Sequence, residues 1–186
     1  GMICASSEIG LFDLFPYEDE ATILDLSDFD TKAGIPVAQA LGLQDIILEI
    51  DNKSLTNRPD LWGHYGIARE IAALYNLPLK DIDEFKVPSV DDLEITIEDD
   101  SRCPRYIGVK IEGISIKKSP FEMQSRIWRV GMRPINAIVD ITNYVMLATG
   151  QPTHAFDADN VKGHITVRRA LDKEKLILLN SKELLL

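Results

Sequence analysis

The residues best able to do chemistry lie close together in the second half of the chain. Through "GMRPINAIVDITNYVMLATGQPTHAF", residues 131–156, Arg133, Asp140, Asn143 and His154 interrupt sequence that is otherwise largely apolar. Arginine supplies a fixed fork of donors for a carboxylate or phosphate, and asparagine both donates and accepts. Histidine titrates near neutrality, at about 6.5 when unperturbed. A helix carrying Asp140 and Asn143 on one stripe, preceded by Arg133 and followed by a turn that delivers His154, can bring the four together. The same residues can also satisfy one another: Asp140 pairing with Arg133, Asn143 tying down the following turn, His154 bonding a backbone carbonyl. Spacing alone favours the second reading, because satisfied polar clusters are commoner than active sites.

The elements that must position these groups are readable from periodicity. Helical spacing runs from about Ile135 to Thr149, with Ile138, Ile141 and Val145 on one stripe and Asn136, Asp140 and Asn143 on another; Gly150 and Pro152 end it. Before it, "SPFEMQSRIWRVGM" predicts a helix in which Ser119 and Glu122 have capping-box spacing, Pro120 suits the first helical position and Gly131 closes the end. Strands are expected at "LEITIED", "RYIGVKIEGISI", "HITVRRA", "KLILLN" and "ELLL". The first half predicts strands at "GMICAS", "ATILDLS" and "DIILEID" and a short helix in "IPVAQALGL". A longer helix is N-capped by Asp60, has an Ile67, Ile71, Leu74/Tyr75 stripe and stops at Pro78. Helical periodicity gives way to charged, Pro-containing sequence over residues 80–92, a module boundary.

A second candidate is "NRPD", where Asn57 and Arg58 can meet a phosphate near a helix N-terminus, although Asx-turn and capping roles account for Asn57 and Asp60 more simply. Gly63 and Gly66 mark close approach of another backbone.

Composition excludes several classes. With 45% hydrophobic residues among 186, the chain can bury a sizeable core. No apolar run approaches the roughly 20 residues of a membrane span, and the start has no secretory pattern. Cys4 and Cys103 form neither a disulfide framework nor a zinc site, so a reducing cytoplasm is expected. His64, His154 and His164 give no ligand pair, and no Gly-rich phosphate loop, HExxH or GxSxG occurs. A net charge of -10 disfavours autonomous nucleic-acid binding, although Lys117, Lys118, Arg126, Arg129, Arg133, Arg168 and Arg169 concentrate basic charge in the second half.

Four strings in order, "GMICASSEIGL", "LEIDNKSLTNRPDLWGHYGIAREIAALYNLPL", "CPRYIGVKIEGISIKKSPFEMQSRIWRVGMRPINAIVDITNYVMLATGQPTHAFDADNVKGHITVRRA" and "EKLILLN", cover most of the chain. Together they resemble the beta subunit of bacterial phenylalanyl-tRNA synthetase. The resemblance implies an α+β chain of two small mixed modules, the second an incomplete α/β editing-type domain with a helix pair and several strands. It assigns residues 1–25 to the tail of an OB-fold tRNA-binding domain, 26–88 to an amino-terminal module, and 89–186 to the start of a B3/B4 editing region. The chain then reads as an excised fragment of a tRNA(Phe)-charging ligase subunit that works with an alpha subunit in an alpha2-beta2 heterotetramer. ATP and magnesium serve the intact enzyme and no cofactor binds this piece. The family's editing residues fall on Arg133, Asn143 and His154: Arg133 and Asn143 would position the tRNA terminus or aminoacyl group, and His154 would orient the substrate or its water. An acidic residue that reads the tyrosine hydroxyl falls, in the family, beyond Leu186. Ala148, Thr149, Thr153 and Trp62 depart from the family's common pattern. The competing expectation is a non-catalytic tRNA-binding or scaffold module in which the polar cluster only holds the fold.

Overall fold

The computed structural model describes residues 3–19, 22–86, 93–178 and 180–186. Mixed helices and two small sheets confirm the α+β class. Contacts divide the chain into two compact units, Gly1–Asp81 with Ser115–Ala155, and Ile82–Ile114 with Phe156–Leu186. This grouping cuts across a sequence division at residue 89, because the helix pair expected in the second module packs with the first.

In the first unit, the apolar residues of the amino-terminal segment find their partners on a helix far along the chain. Leu11, Leu14 and Leu41 are buried, and Phe15, Leu24, Leu26, Phe29, Phe121 and Trp128 close around them. The rings of Phe29 and Phe121 meet edge-on at 4.8 Å, and Phe15 lies 5.6 Å from Phe121, the offset and perpendicular geometries that aromatic quadrupoles favour. Among the described residues this unit holds the α-helices α1 (Val37–Ala40), α2 (His64–Tyr75), α3 (Phe121–Arg129) and α4 (Ala137–Thr149). A 3-10 turn, Pro59–Trp62, leads into α2.

Three details differ from the sequence expectations. Gly63, not Asp60, stands at the N-cap of α2, because Asp60 is held inside the 3-10 turn by Arg58. Helix α2 closes at Asn76, in a left-handed conformation (φ 51) with its N–H on the Ala72 carbonyl, and its expected stripe is buried little beyond Ile67: Ile71, Leu74 and Tyr75 are exposed. The Ser119–Glu122 capping box does not form. Ser119 donates instead to Asp140, while Glu122 accepts from Arg126 at 2.6 Å. Gly131 does close α3 in the left-handed region (φ 82), its N–H on the Trp128 carbonyl.

Among the described residues the second unit holds two two-stranded sheets. Strand β1 (Glu94–Ile97) runs parallel to β2 (His164–Val167), pairing Glu94 with His164 through Ile97 with Val167. Strands β3 (Lys175–Ile177) and β4 (Glu183–Leu185) pair antiparallel, Lys175 opposite Leu185. Residue 179, within the expected "KLILLN" strand, and residues 87–92 of the expected linker lie outside the described residues, as do 1 and 2 of "GMICAS" and residue 21 of "ATILDLS".

Strand patterns at 22–26, 45–51 and 105–116 form no ladder among the described residues. Alternation shows which face can be buried, but a strand exists only when a neighbour takes up its N–H and C=O groups. Without that neighbour Ile46 is 85% exposed and Ile107, Val109 and Ile111 stand in solvent. Among the described residues no helix is long and apolar enough to cross a membrane.

Candidate functional site

Helix α4 begins with a formed cap. Asn136, in extended backbone, accepts from the N–H groups of Ile138 at 3.0 Å and Val139 at 3.1 Å, and the Ala137 N–H reaches the Lys117 carbonyl at 2.8 Å. One turn in, Asp140 is 1% exposed. Its carboxylate accepts from the Ser119 hydroxyl and from the Ile135 N–H at 2.8 Å, tying the lead-in of α3 and the 130–135 turn to α4. A carboxylate this buried persists only when its lone pairs are taken up. The Asp140–Arg133 pairing that spacing allows is therefore absent. Arg133 is exposed, in the turn between the helices.

The far end of α4 is held by the "NRPDLWGHYG" segment. Gly150 ends the helix in the left-handed region (φ 78), its N–H on the Met146 carbonyl at 2.8 Å. A Cβ on Gly63 would lie 2.2 Å from the Gly150 nitrogen, and one on Gly66 would lie 1.8 Å from the Asp60 carbonyl oxygen, so only glycine fits at either position. The close backbone approach expected of both glycines is thus met. The 3-10 turn is itself braced by charge: Arg58 grips Asp60 with Nε at 3.0 Å and Nη2 at 2.9 Å, also reaches Glu70 at 2.9 Å, and Arg69 completes the set on Asp60 at 2.9 Å. The Arg58 hydrogen bonds hold the Asp60 carboxyl well below the ordinary carboxylate range, and the same contacts with Asp60 and Glu70 raise the Arg58 guanidinium. Arg58 is thereby committed to bracing its own turn, which weakens the phosphate-contact reading of "NRPD".

Beyond Gly150 the chain doubles back. Thr149 donates to the Val145 carbonyl at 2.7 Å and accepts from the Gln151 N–H at 3.2 Å, and the Thr153 hydroxyl donates to the Thr142 carbonyl at 3.3 Å. The last bond sets the residue before His154 against the residue before Asn143. Asn143 is half-buried and His154 exposed. Among the described residues no hydrogen bond or ion pair joins Arg133, Asn143 and His154. The fold therefore brings the loop of His154 back along the helix of Asn143, and leaves Arg133 at the opposite end of that helix.

A cleft of about 990 Å³ opens in the first unit between the 44–50 segment, the start of α2, and the facing sides of α3 and α4; Arg133, Asn143 and His154 do not line it. Its cations are already engaged, Arg126 with Tyr144 at 2.8 Å and Arg129 with Asp45 at 2.7 Å. Among the described residues no three His, Cys, Asp or Glu side chains cluster to hold a metal ion. Sequence reasoning missed the role of His64, whose Nδ1 lies 2.9 Å from the Leu147 carbonyl oxygen, 83 positions away. No local pattern announces a partner so distant in the chain.

Residues 102–186 match the B3/4 domain family. Over nearly its full length the chain is also similar to curated proteins. It is 41% identical over 187 residues to the phenylalanine–tRNA ligase beta subunit of Solibacter usitatus, covering 98% of this chain and 23% of that protein. It is 40% identical to the phenylalanine–tRNA ligase beta subunits of Aquifex aeolicus, over 98% of this chain, and of Fusobacterium nucleatum, over 97%, each covering 22% of the relative. The chain is thus similar along nearly all its length to phenylalanine–tRNA ligase beta subunits, and it spans less than a quarter of the length of these relatives.

Proposed function

We propose that this chain is part of a beta subunit whose intact enzyme ligates phenylalanine to tRNA(Phe), and that it carries one wall of a site that hydrolyses Tyr-tRNA(Phe). The observation that carries the reading is the identity of about 40% running along 97–98% of the chain, with the B3/4 match over residues 102–186. In this reading residues 1–25 end an OB-fold domain, 26–88 form an amino-terminal module and 89–186 begin the editing region. The enzyme is cytoplasmic, and an alpha subunit, two of each in a heterotetramer, supplies the aminoacylation centre. ATP and magnesium belong to that centre. Among the described residues no three His, Cys, Asp or Glu side chains come together as a metal site would need.

The chemistry explains why such a site is needed. An apolar pocket shaped for a phenyl ring discriminates only about a hundredfold against an added hydroxyl, so tyrosine is occasionally charged and a second, hydrolytic site corrects the error. Arg133 and Asn143 offer donors to the tRNA terminus and the aminoacyl carbonyl, and His154 orients the ester or the attacking water. The return of the 151–154 loop along α4 supports His154 and Asn143 acting on one substrate.

One observation favours a second reading. The buried polar group of this region, Asp140, is fully engaged in holding the helices together, as a scaffold or tRNA-binding module would require. A single experiment separates them. In the intact enzyme, His154→Ala is expected to slow Tyr-tRNA(Phe) deacylation at least tenfold, on the order of what a lost positioning or acid–base group costs, while phenylalanine charging stays within twofold. Unchanged deacylation by the folded variant returns the region to a scaffold role.

A further inference from the structure

The last carbonyls of an α-helix have no partner within the helix and must be satisfied from outside. At the end of α4, Met146 is served by the Gly150 N–H, while the Gln151 N–H, which would continue the ladder to Leu147, turns to the Thr149 hydroxyl instead. The Leu147 carbonyl is taken up by His64, the first residue of α2, at 2.9 Å. A carbonyl oxygen can only accept, so Nδ1 of His64 carries the proton and the tautomer is fixed. Directly beside this bond, Gly63 and Gly150 approach so closely that no side chain fits between them, and the Pro59 carbonyl oxygen lies 3.0 Å from where a Gly150 Cβ would stand. Three contacts from one short segment therefore converge on residues 147–150, the last rigid positions before the loop that carries His154.

We infer that His64 is a positioning residue for the hydrolytic site: it caps α4 from another helix and thereby sets where the Gln151–His154 loop departs. The inference rests on the editing reading given above. His64 touches no substrate; it acts through Leu147 and Gly150 on the direction of the loop. Nδ1, not Nε2, makes the bond, and that gives a chemical signature. The amide nitrogen of asparagine occupies nearly the place of Nδ1, whereas that of glutamine reaches one carbon too far.

The test compares His64→Leu, His64→Gln and His64→Asn in the intact enzyme, with thermal unfolding to check the fold. Loss of the cap is expected to slow Tyr-tRNA(Phe) deacylation roughly fivefold in the Leu and Gln variants, the factor corresponding to one net hydrogen bond. His64→Asn is expected to retain the parent rate, and all three to charge tRNA(Phe) normally. Parent-like deacylation by His64→Gln, or a His64→Asn variant as slow as His64→Gln, overturns the inference even if His64→Leu fails to fold. The His154→Ala measurement keeps the two ideas apart. Slow deacylation there with unaffected His64 variants rejects the cap alone, and fast deacylation there rejects the site itself.

Discussion

Asp140 shows how one residue can be read two ways until its partners are known. In sequence it belongs to the same polar stripe as Asn143, and a buried carboxylate near a histidine invites a catalytic role. Its two hydrogen bonds, from Ser119 and Ile135, use it as a structural knot instead. Removing it leaves a buried hydroxyl and a part-buried N–H without this partner, so Asp140→Ala is expected to destabilise the chain by about 1–3 kcal/mol. Asp140→Asn keeps one acceptor oxygen and is expected to cost less than half as much. Urea unfolding of both variants gives the comparison, and an alanine variant as stable as the parent contradicts the assignment. His154 stands at the other extreme. It is exposed, and no hydrogen bond or ion pair engages it among the described residues.

At the scale of elements, close backbone approach dominates. Helix α2 lies against the 3-10 turn that precedes it, and Gly66 is the point of contact. In an ordinary helix interior Gly→Ala gains about 1 kcal/mol from propensity. Here the added methyl would fall within 1.8 Å of a backbone oxygen that Arg58 and Asp60 hold in a braced turn. Gly66→Ala is therefore expected to lower stability by about 1–3 kcal/mol, the cost of overpacking. Thermal unfolding decides by sign alone, since a stabilised variant removes the close contact from consideration. Gly63 and Gly150 repeat the arrangement across two elements far apart in sequence.

At the scale of the whole molecule, the prominent feature is apolar surface without cover. Ile46, Ile47, Leu48, Ile50 and Ile116 in the first unit, and Ile107, Val109, Ile111 and Ile114 in the second, are all more than half exposed on strand-patterned backbone with no ladder among the described residues. Such rows template intermolecular pairing. The 186-residue chain is expected to associate with rising concentration, and Ile47→Lys with Ile111→Lys to suppress this without lowering helix content. Light scattering across a concentration series measures it. A chain that stays monodisperse, with no difference between parent and variant, refutes the expectation.

How much of this was legible in sequence depends on the distance over which each feature is decided. Helices α3 and α4, their ends at Gly131 and Gly150, and the need for glycine at 63 and 66 follow from local periodicity, left-handed caps and the absence of a side chain. Strands β1, β2, β3 and β4 were readable where a partner segment exists, while the equally regular patterns at 45–51 and 105–116 were not strands, because ladder hydrogen bonds depend on a second chain segment that no local pattern supplies. Type and spacing single out Arg133, Asp140, Asn143 and His154, and it is the family resemblance that narrows them to Arg133, Asn143 and His154. Only the tertiary structure decided that Asp140 bonds Ser119 and not Arg133, that the helix pair packs with the amino-terminal segment, and that His64 caps a helix 83 positions away. Each of these is a choice among partners of similar chemistry, made by which backbone can come close enough, and that is a property of the folded chain.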